Sequence, residues 1–197
     1  MDNNKAFYSE NADSLASQYD SISFESVHSD WLKLLPTNGT ALDIGAGSGR
    51  DARYLFDRGL KVHAIEPATN LLLAAKRNSS EHDITWYQDD LPNLNQIKAL
   101  DAQFDLILLS AVWMHLSPDE RVASMKTMAS LLSAAGRLVI TLRHGKFRDG
   151  RTSFPLSADD VCVLAKQNGL SVLLKTDLEG DQLGRSEVVW ETVVLGR

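Results

Sequence analysis

From Thr40 onward, short apolar runs alternate with longer segments in which apolar residues recur every three or four positions. The runs at 41–44, 62–65, 84–87, 104–109, 137–142, 170–175 and 188–195 are rich in Val, Ile and Leu, and they predict seven buried strands. Helical segments are predicted between them at 49–58, 70–78, 118–132 and 157–168. Gly59 and Gly169 supply stop signals for the first and last of these. Ser117-Pro118-Asp119-Glu120 combines an N-cap serine, a proline at the first helical position and a glutamate three residues past the cap. Strand–helix alternation predicts an α/β fold, doubly wound, with a mostly parallel sheet and helices on both faces. Such sheets take ligands beyond the carboxyl ends of their strands, where strand order reverses. Chemistry is therefore sought in the loops that follow strands.

Residues 1–36 have a different texture. They are rich in Ser, Asn and Asp, with scattered apolar and aromatic positions, and predict two or three short helices ending at Pro36. The expected organisation is a small helical N-terminal segment, 1–36, followed by a domain over 37–197. With 44% hydrophobic and 23% charged residues, the composition is that of a globular protein. A net charge of -6 argues against nucleic-acid binding through a general positive field. The single cysteine, Cys162, excludes an internal disulfide and fits a reducing compartment. The longest apolar stretch, 104–116, is interrupted by Asp105 and Ser110 and falls short of the ~20 residues a membrane span needs. The expectation is a soluble, cytoplasmic chain with no membrane or nucleic-acid partner; nothing in the pattern sets an oligomeric state.

The loop after the first strand reads Asp43-Ile44-Gly45-Ala46-Gly47-Ser48-Gly49-Arg50. Glycines permit positive φ and close approach of a ligand, and the helix that follows offers free N–H groups. A dinucleotide fingerprint, G-x-G-x-x-G, would put its third glycine where Arg50 stands. Asp43, two residues before the first glycine, would repel a pyrophosphate and suits a ligand bearing an ammonium group. With this loop the chain resembles the class I S-adenosylmethionine-dependent methyltransferases over roughly 40–197. The resemblance implies a Rossmann-like seven-stranded sheet, S-adenosyl-L-methionine as cofactor and S-adenosyl-L-homocysteine as product. It implies that Asp43, Gly45, Ala46, Gly47 and Gly49 hold the methionine end, with Arg50 a candidate for its carboxylate. Glu66, ending the second strand beside Pro67, would accept from both ribose hydroxyls. After the third strand, Asp89 and Asp90 compete to accept from the adenine amino group, with Leu91 on the ring; position favours Asp89. Ser110 ends the fourth strand, beneath the transferred methyl. Tyr8 and Tyr19 belong to a segment that often forms a lid in the family, with aromatics near the sulfonium.

Methyl transfer mainly requires alignment, and a base helps when the nucleophile carries a proton. His115 and His144, just past the fourth and fifth strands, are the candidate bases. His63 lies inside a strand, and His28 and His82 read as surface residues. Trp113, Arg143 and Lys146 are candidate substrate contacts, the last two in a cationic loop suited to an anionic acceptor; Arg185 could join them. No Asn/Asp-Pro-Pro-Tyr/Phe motif, Pro-Cys pair or metal-ligand spacing occurs. Base-amino, glutamine, cytosine-C5 and metal-dependent chemistry are thereby disfavoured. The reading is methyl transfer to an O or N atom of a small molecule, with no metal. The alternative is a noncatalytic S-adenosylmethionine-binding module, regulatory or complex-forming. A nucleotide-dependent dehydrogenase is disfavoured by the glycine spacing.

Overall fold

The computed structural model describes residues 2–197; Met1, the first residue of the expected N-terminal segment, lies outside them. Three short helices, α1 (Asp2–Glu10), α2 (Ala12–Asp20) and α3 (Phe24–Val27), and a 3-10 turn, Ser29–Leu34, precede the sheet. The strands are β1 (Thr40–Ile44), β2 (Lys61–Ile65), β3 (Thr85–Tyr87), β4 (Phe104–Ser110), β5 (Leu132–His144), β6 (Ser171–Lys175), β7 (Glu179–Gly180) and β8 (Val189–Gly196). Between them run α4 (Arg50–Asp57), α5 (Thr69–Asn78), α6 (Asn95–Lys98), α7 (Pro118–Leu131) and α8 (Ala158–Gln167). The sheet order is β3-β2-β1-β4-β5-β8-β6, with β7 paired to β8. Strands β1 to β5 pair in parallel, while β8 runs antiparallel to β5, β6 and β7. The expected α/β architecture is observed, with the short helix α6 and the strand β7 added. The two-residue β7 carries no apolar pattern and was not predicted from sequence.

Strand β4 shows why both faces of the sheet must be covered. Ile107 and Leu109 join a core with Leu42, Leu138 and the α7 residues Met125 and Met128. Leu106 and Leu108 join the other core, with Ala41, Val62, Val139 and the α4 residues Ala52 and Leu55. The period-two alternation of a strand thus feeds two cores. A third, smaller cluster packs Ala12 and Ala16 of α2 against Leu71 and Ala74 of α5, with Tyr8 at its edge. The predicted capping box is present: the Ser117 hydroxyl accepts from the Glu120 N–H, and the Glu120 carboxylate accepts from the Ser117 N–H at 2.8 Å. No helix among the described residues is long and apolar enough to cross a membrane.

Candidate active site

Strand order reverses between β1 and β4, and a cavity of about 270 Å³ opens there. Its floor is the glycine loop and the ends of β2, β4 and β5. Side chains from α1 and α2 enclose it, together with Phe147, Arg151 and residues 179–185.

The glycine loop is held against the end of β2, where the N–H groups of Gly45 and Ala46 both donate to the Ile65 carbonyl, at 2.9 and 2.8 Å. Gly45 adopts φ +75°, and a Cβ there would stand 2.4 Å from Val112. At Gly47, with φ +58°, a Cβ would reach 3.3 Å from the Tyr19 ring, filling the space between the loop and α2. Behind the loop, Asp43 is 1% exposed, and its Oδ2 has no hydrogen-bond partner. Burial, then the neighbouring Asp51 charge, pushes the Asp43 carboxyl well above its ordinary range. Burial also opposes ionisation of Asp51, but Arg50 and His28 more than offset it and hold that carboxyl low. Arg50 Nε donates to Asp51 at 2.6 Å.

Glu66 is 5% exposed, and each of its oxygens accepts one backbone N–H: Oε2 from Gly47 at 3.0 Å, Oε1 from Ala68 at 2.9 Å. Each oxygen retains a further acceptor site. Burial raises the Glu66 carboxyl to about 7, against a partial offset from those two hydrogen bonds. Asp89 accepts from the N–H groups of Asp90 and Gln96, at 2.9 and 2.7 Å, so it also fixes the start of α6. Asp90 is ion-paired with Lys5 of α1.

Across the cavity, His115 is 9% exposed. Its Nδ1 lies 2.8 Å from the Thr152 carbonyl and therefore carries the ring proton. Nε2 then accepts from the Tyr8 hydroxyl at 2.9 Å, and the Tyr8 oxygen accepts from Arg151 at 3.1 Å. Burial holds the His115 pKa below its ordinary value, so the ring is neutral at pH 7. Asn4 locks the arrangement: its amide donates to the Thr152 carbonyl at 2.9 Å and accepts from the Thr152 N–H at 2.7 Å.

Of the residues singled out from sequence, Tyr8, Tyr19, Gly45, Ala46, Gly47, Arg50, Glu66, Pro67, Asp89, Asp90, Leu91, Ser110, His115 and Arg143 line this one cavity, as does Arg185. Five others, Trp113, His144, Lys146, Gly49 and Asp43, do not. Trp113 is 1% exposed in the core, because the 3-10 turn Trp113–His115 directs Met114 and His115 to the cavity instead. His144 follows the pleat away from it. Thr141 and Arg143 share the cavity face with their β8 partners Thr192 and Trp190, while His144 bonds Glu191 at 2.8 Å. Lys146 is exposed outside the cavity. Gly49 caps α4, and a Cβ there would meet Ser79 and Trp86, so it is a packing glycine. Asp43 acts from behind the lining rather than within it.

His28, expected at the surface, is buried: it donates to Asp51 at 3.0 Å and accepts from the Trp31 indole at 3.1 Å. Sequence reasoning also missed Asn4, Asp20 and Arg121. Asp20 accepts from Ser48 at 2.7 Å and Arg53 at 2.8 Å, tying α2 to the glycine loop. Arg121 donates to the carbonyls of Trp113 and Pro155, at 3.2 and 2.7 Å, and so fixes the loop that carries Arg151. None belongs to a motif; each works through a partner distant in sequence.

Residues 41–136 match the family described as "Methyltransferase domain". An uncharacterised methyltransferase of Staphylococcus carnosus is 31% identical over 102 residues, covering 52% of this chain and 46% of its own. The chain spans about half the length of the curated relatives it matches. A TehB-like SAM-dependent methyltransferase from Corynebacterium glutamicum superposes with a TM-score of 0.69 at 26% identity, covering 98% of each chain. The magnesium protoporphyrin IX methyltransferase ChlM of Synechocystis, solved with bound SAM, has a TM-score of 0.64 over 100% of this chain and 82% of its own; at 16% identity it shares the fold. Sequence match and fold agree with the glycine loop at the switch point, and together they support a class I S-adenosylmethionine-dependent methyltransferase.

Proposed function

We propose that this chain transfers a methyl group from S-adenosylmethionine to an O or N atom of a small acceptor, with residues 1–36 as a lid. The observation that carries this reading is that one cavity joins Gly45, Gly47 and Glu66 on one side to Tyr8 and His115 on the other. The residues fit the cofactor: the Gly47 cradle admits a ligand that a side chain would displace, and the unpartnered Asp43 oxygen suits a nearby cationic end. Gly45 and Gly47 would hold the methionine end, Glu66 the ribose, and Asp89 or Asp90 with Leu91 the adenine. When bound, S-adenosylmethionine supplies a methyl group activated by its sulfonium. The chain's own contribution is alignment and a proton path. An acceptor proton passes to the Tyr8 oxygen as the Tyr8 proton passes to Nε2 of His115. Arg151 and Thr152 hold the two ends of that path.

Calorimetry with S-adenosylhomocysteine and NADH tests the cofactor; binding of NADH alone would sink the reading. A labelled methyl-transfer screen against a metabolite extract, with Asp43→Ala as control, tests the reaction. Tight S-adenosylhomocysteine binding with no transfer to any fraction would instead favour a noncatalytic binding module.

A further inference from the structure

Three arginines, Arg143, Arg151 and Arg185, line the acceptor side of the cavity. Two are already neutralised. Arg151 pairs with Asp149 at 2.6 Å, and Arg185 pairs with Asp181 at 2.6 Å. Arg143 has no carboxylate partner among the described residues, although it is only 7% exposed. Its Nη1 donates to the Gly145 carbonyl at 2.7 Å, and its Nε is buried without any acceptor. The guanidinium stacks 4.1 Å from the centroid of the Phe147 ring, while Arg151 stands 4.0 Å from the same ring. Burial, then the Arg185 and Arg151 charges, all act against the Arg143 cation. A buried cation among like charges is expensive unless something negative joins it.

The position separates this cation from the cofactor side. Arg143 is the last residue but one of β5, and β4 lies between β5 and the glycine loop of β1. Two strand spacings put it roughly 10 Å from that loop. Among the described residues Nη2 of Arg143 has no hydrogen-bond partner, and the planar guanidinium fork matches two oxygens of one group. One uncompensated positive charge calls for one negative charge. The apolar contribution of Met114, Val112 and Leu183 to the lining leaves room for a carbon body beside it.

We propose that Arg143 binds a carboxylate of the methyl acceptor, making the acceptor a small organic acid methylated at another atom. This deepens the methyl-transfer reading and rests on it for the occupant of the glycine side. The test uses the purified full chain saturated with S-adenosylhomocysteine. Benzoate, phenylacetate and octanoate are titrated against their primary amides, with sulfate and phosphate as further arms. At least one carboxylate is expected to bind roughly tenfold or more tighter than its amide, as loss of a charge-assisted fork implies. Arg143→Gln is expected to remove that preference and Arg143→Lys to keep part of it, with S-adenosylhomocysteine affinity unchanged in both. The wild-type comparison of acid with amide needs no variant, so it stands if a variant does not fold. Equal binding of acids and amides, no binding of any acid, preference for sulfate or phosphate, or full preference kept in Arg143→Gln would each overturn the proposal. Failure of S-adenosylhomocysteine itself to bind the wild type would instead overturn the underlying methyl-transfer reading.

Discussion

Glu66 is enclosed on all sides yet offers its carboxylate to the cavity, and that conflict is measurable. Burial lifts its pKa from 4.5 to about 7, so the empty fold favours the protonated form. Its stabilising contribution is full below pH 4.5 and is lost as pH rises through about 7, a change of about 3 kcal/mol. Denaturant unfolding of the ligand-free protein across that window should show the decline, and Glu66→Gln should flatten it. At low pH, where the wild-type carboxyl is also neutral, the variant should be about 1 kcal/mol less stable, because a glutamine has one acceptor oxygen for the Gly47 and Ala68 N–H groups, and above pH 7 it should be the more stable of the two. Affinity for S-adenosylhomocysteine runs the opposite way. Ribose hydroxyls donate best to the ionised carboxylate, so wild-type affinity should rise through pH 7, and a flat titration would remove Glu66 from the ribose site. On the acceptor side, Tyr8→Phe keeps the ring and removes the proton path. It should lower kcat about 10²- to 10⁴-fold while S-adenosylhomocysteine binding changes little. The acid limb of kcat should lie below pH 6.5, because burial favours neutral His115, and His115→Ala should abolish that limb. An unchanged pH profile in His115→Ala would exclude the ring as proton acceptor.

At the scale of single elements, local chemistry predicts itself and remote pairing does not. The capping box of α7 needs only the spacing of Ser117 and Glu120, and it is found where the sequence puts it. Ser117→Ala should cost about 1 kcal/mol and lower Tm by about 2–4 °C in a thermal melt. No change would mean that the cap is carried by Pro118 and packing alone. Strand β5 is the counterexample. Its apolar pattern covers 137–142, but the strand runs over Leu132–His144. Its early part, with Ser133, Ala134 and Ala135, has no apolar signature and joins through contacts made elsewhere. Leu132 pairs with Phe104, and the Ser133 hydroxyl donates to Asp105 at 2.8 Å. The two extra residues at its far end decide the site. With the strand continuing through Arg143 and His144, the pleat sends one into the cavity and the other to Glu191. A sequence that reads both as loop residues cannot separate them. The glycine loop, Glu66 and the pair Asp89–Asp90 were legible because each closes a strand whose end the apolar pattern marks.

For the molecule as a whole, the question is how a ligand enters a cavity enclosed by α1 and α2. These helices are attached more by polar links than by apolar burial. Asn4 holds Thr152, Tyr8 holds His115, Ser9 accepts from Asn70 at 3.1 Å, and Asp20 holds Ser48 and Arg53. Their own buried apolar residues are mainly Ala12, Leu15 and Ala16. Few apolar contacts and many exchangeable polar ones describe a segment that opens locally at low free-energy cost. Strands β1, β4 and β5, buried between two cores, open only with the whole fold. A ligand that bridges the glycine loop and Tyr19 would, under the proposed lid role, hold α1 and α2 in place by mass action. At a concentration of 100 Kd, S-adenosylhomocysteine should slow amide exchange in α1, α2 and the loop over 145–155 by up to about 100-fold. Exchange in β1, β4 and β5, where it reports global unfolding in the ligand-free protein, should slow by no more than the same factor. Slowing confined to the glycine loop, with 2–20 exchanging as before, would mean that the N-terminal helices are a fixed wall. The ligand would then need another route, past Lys5, Pro67 and Asp89, where a second, more open depression meets the surface.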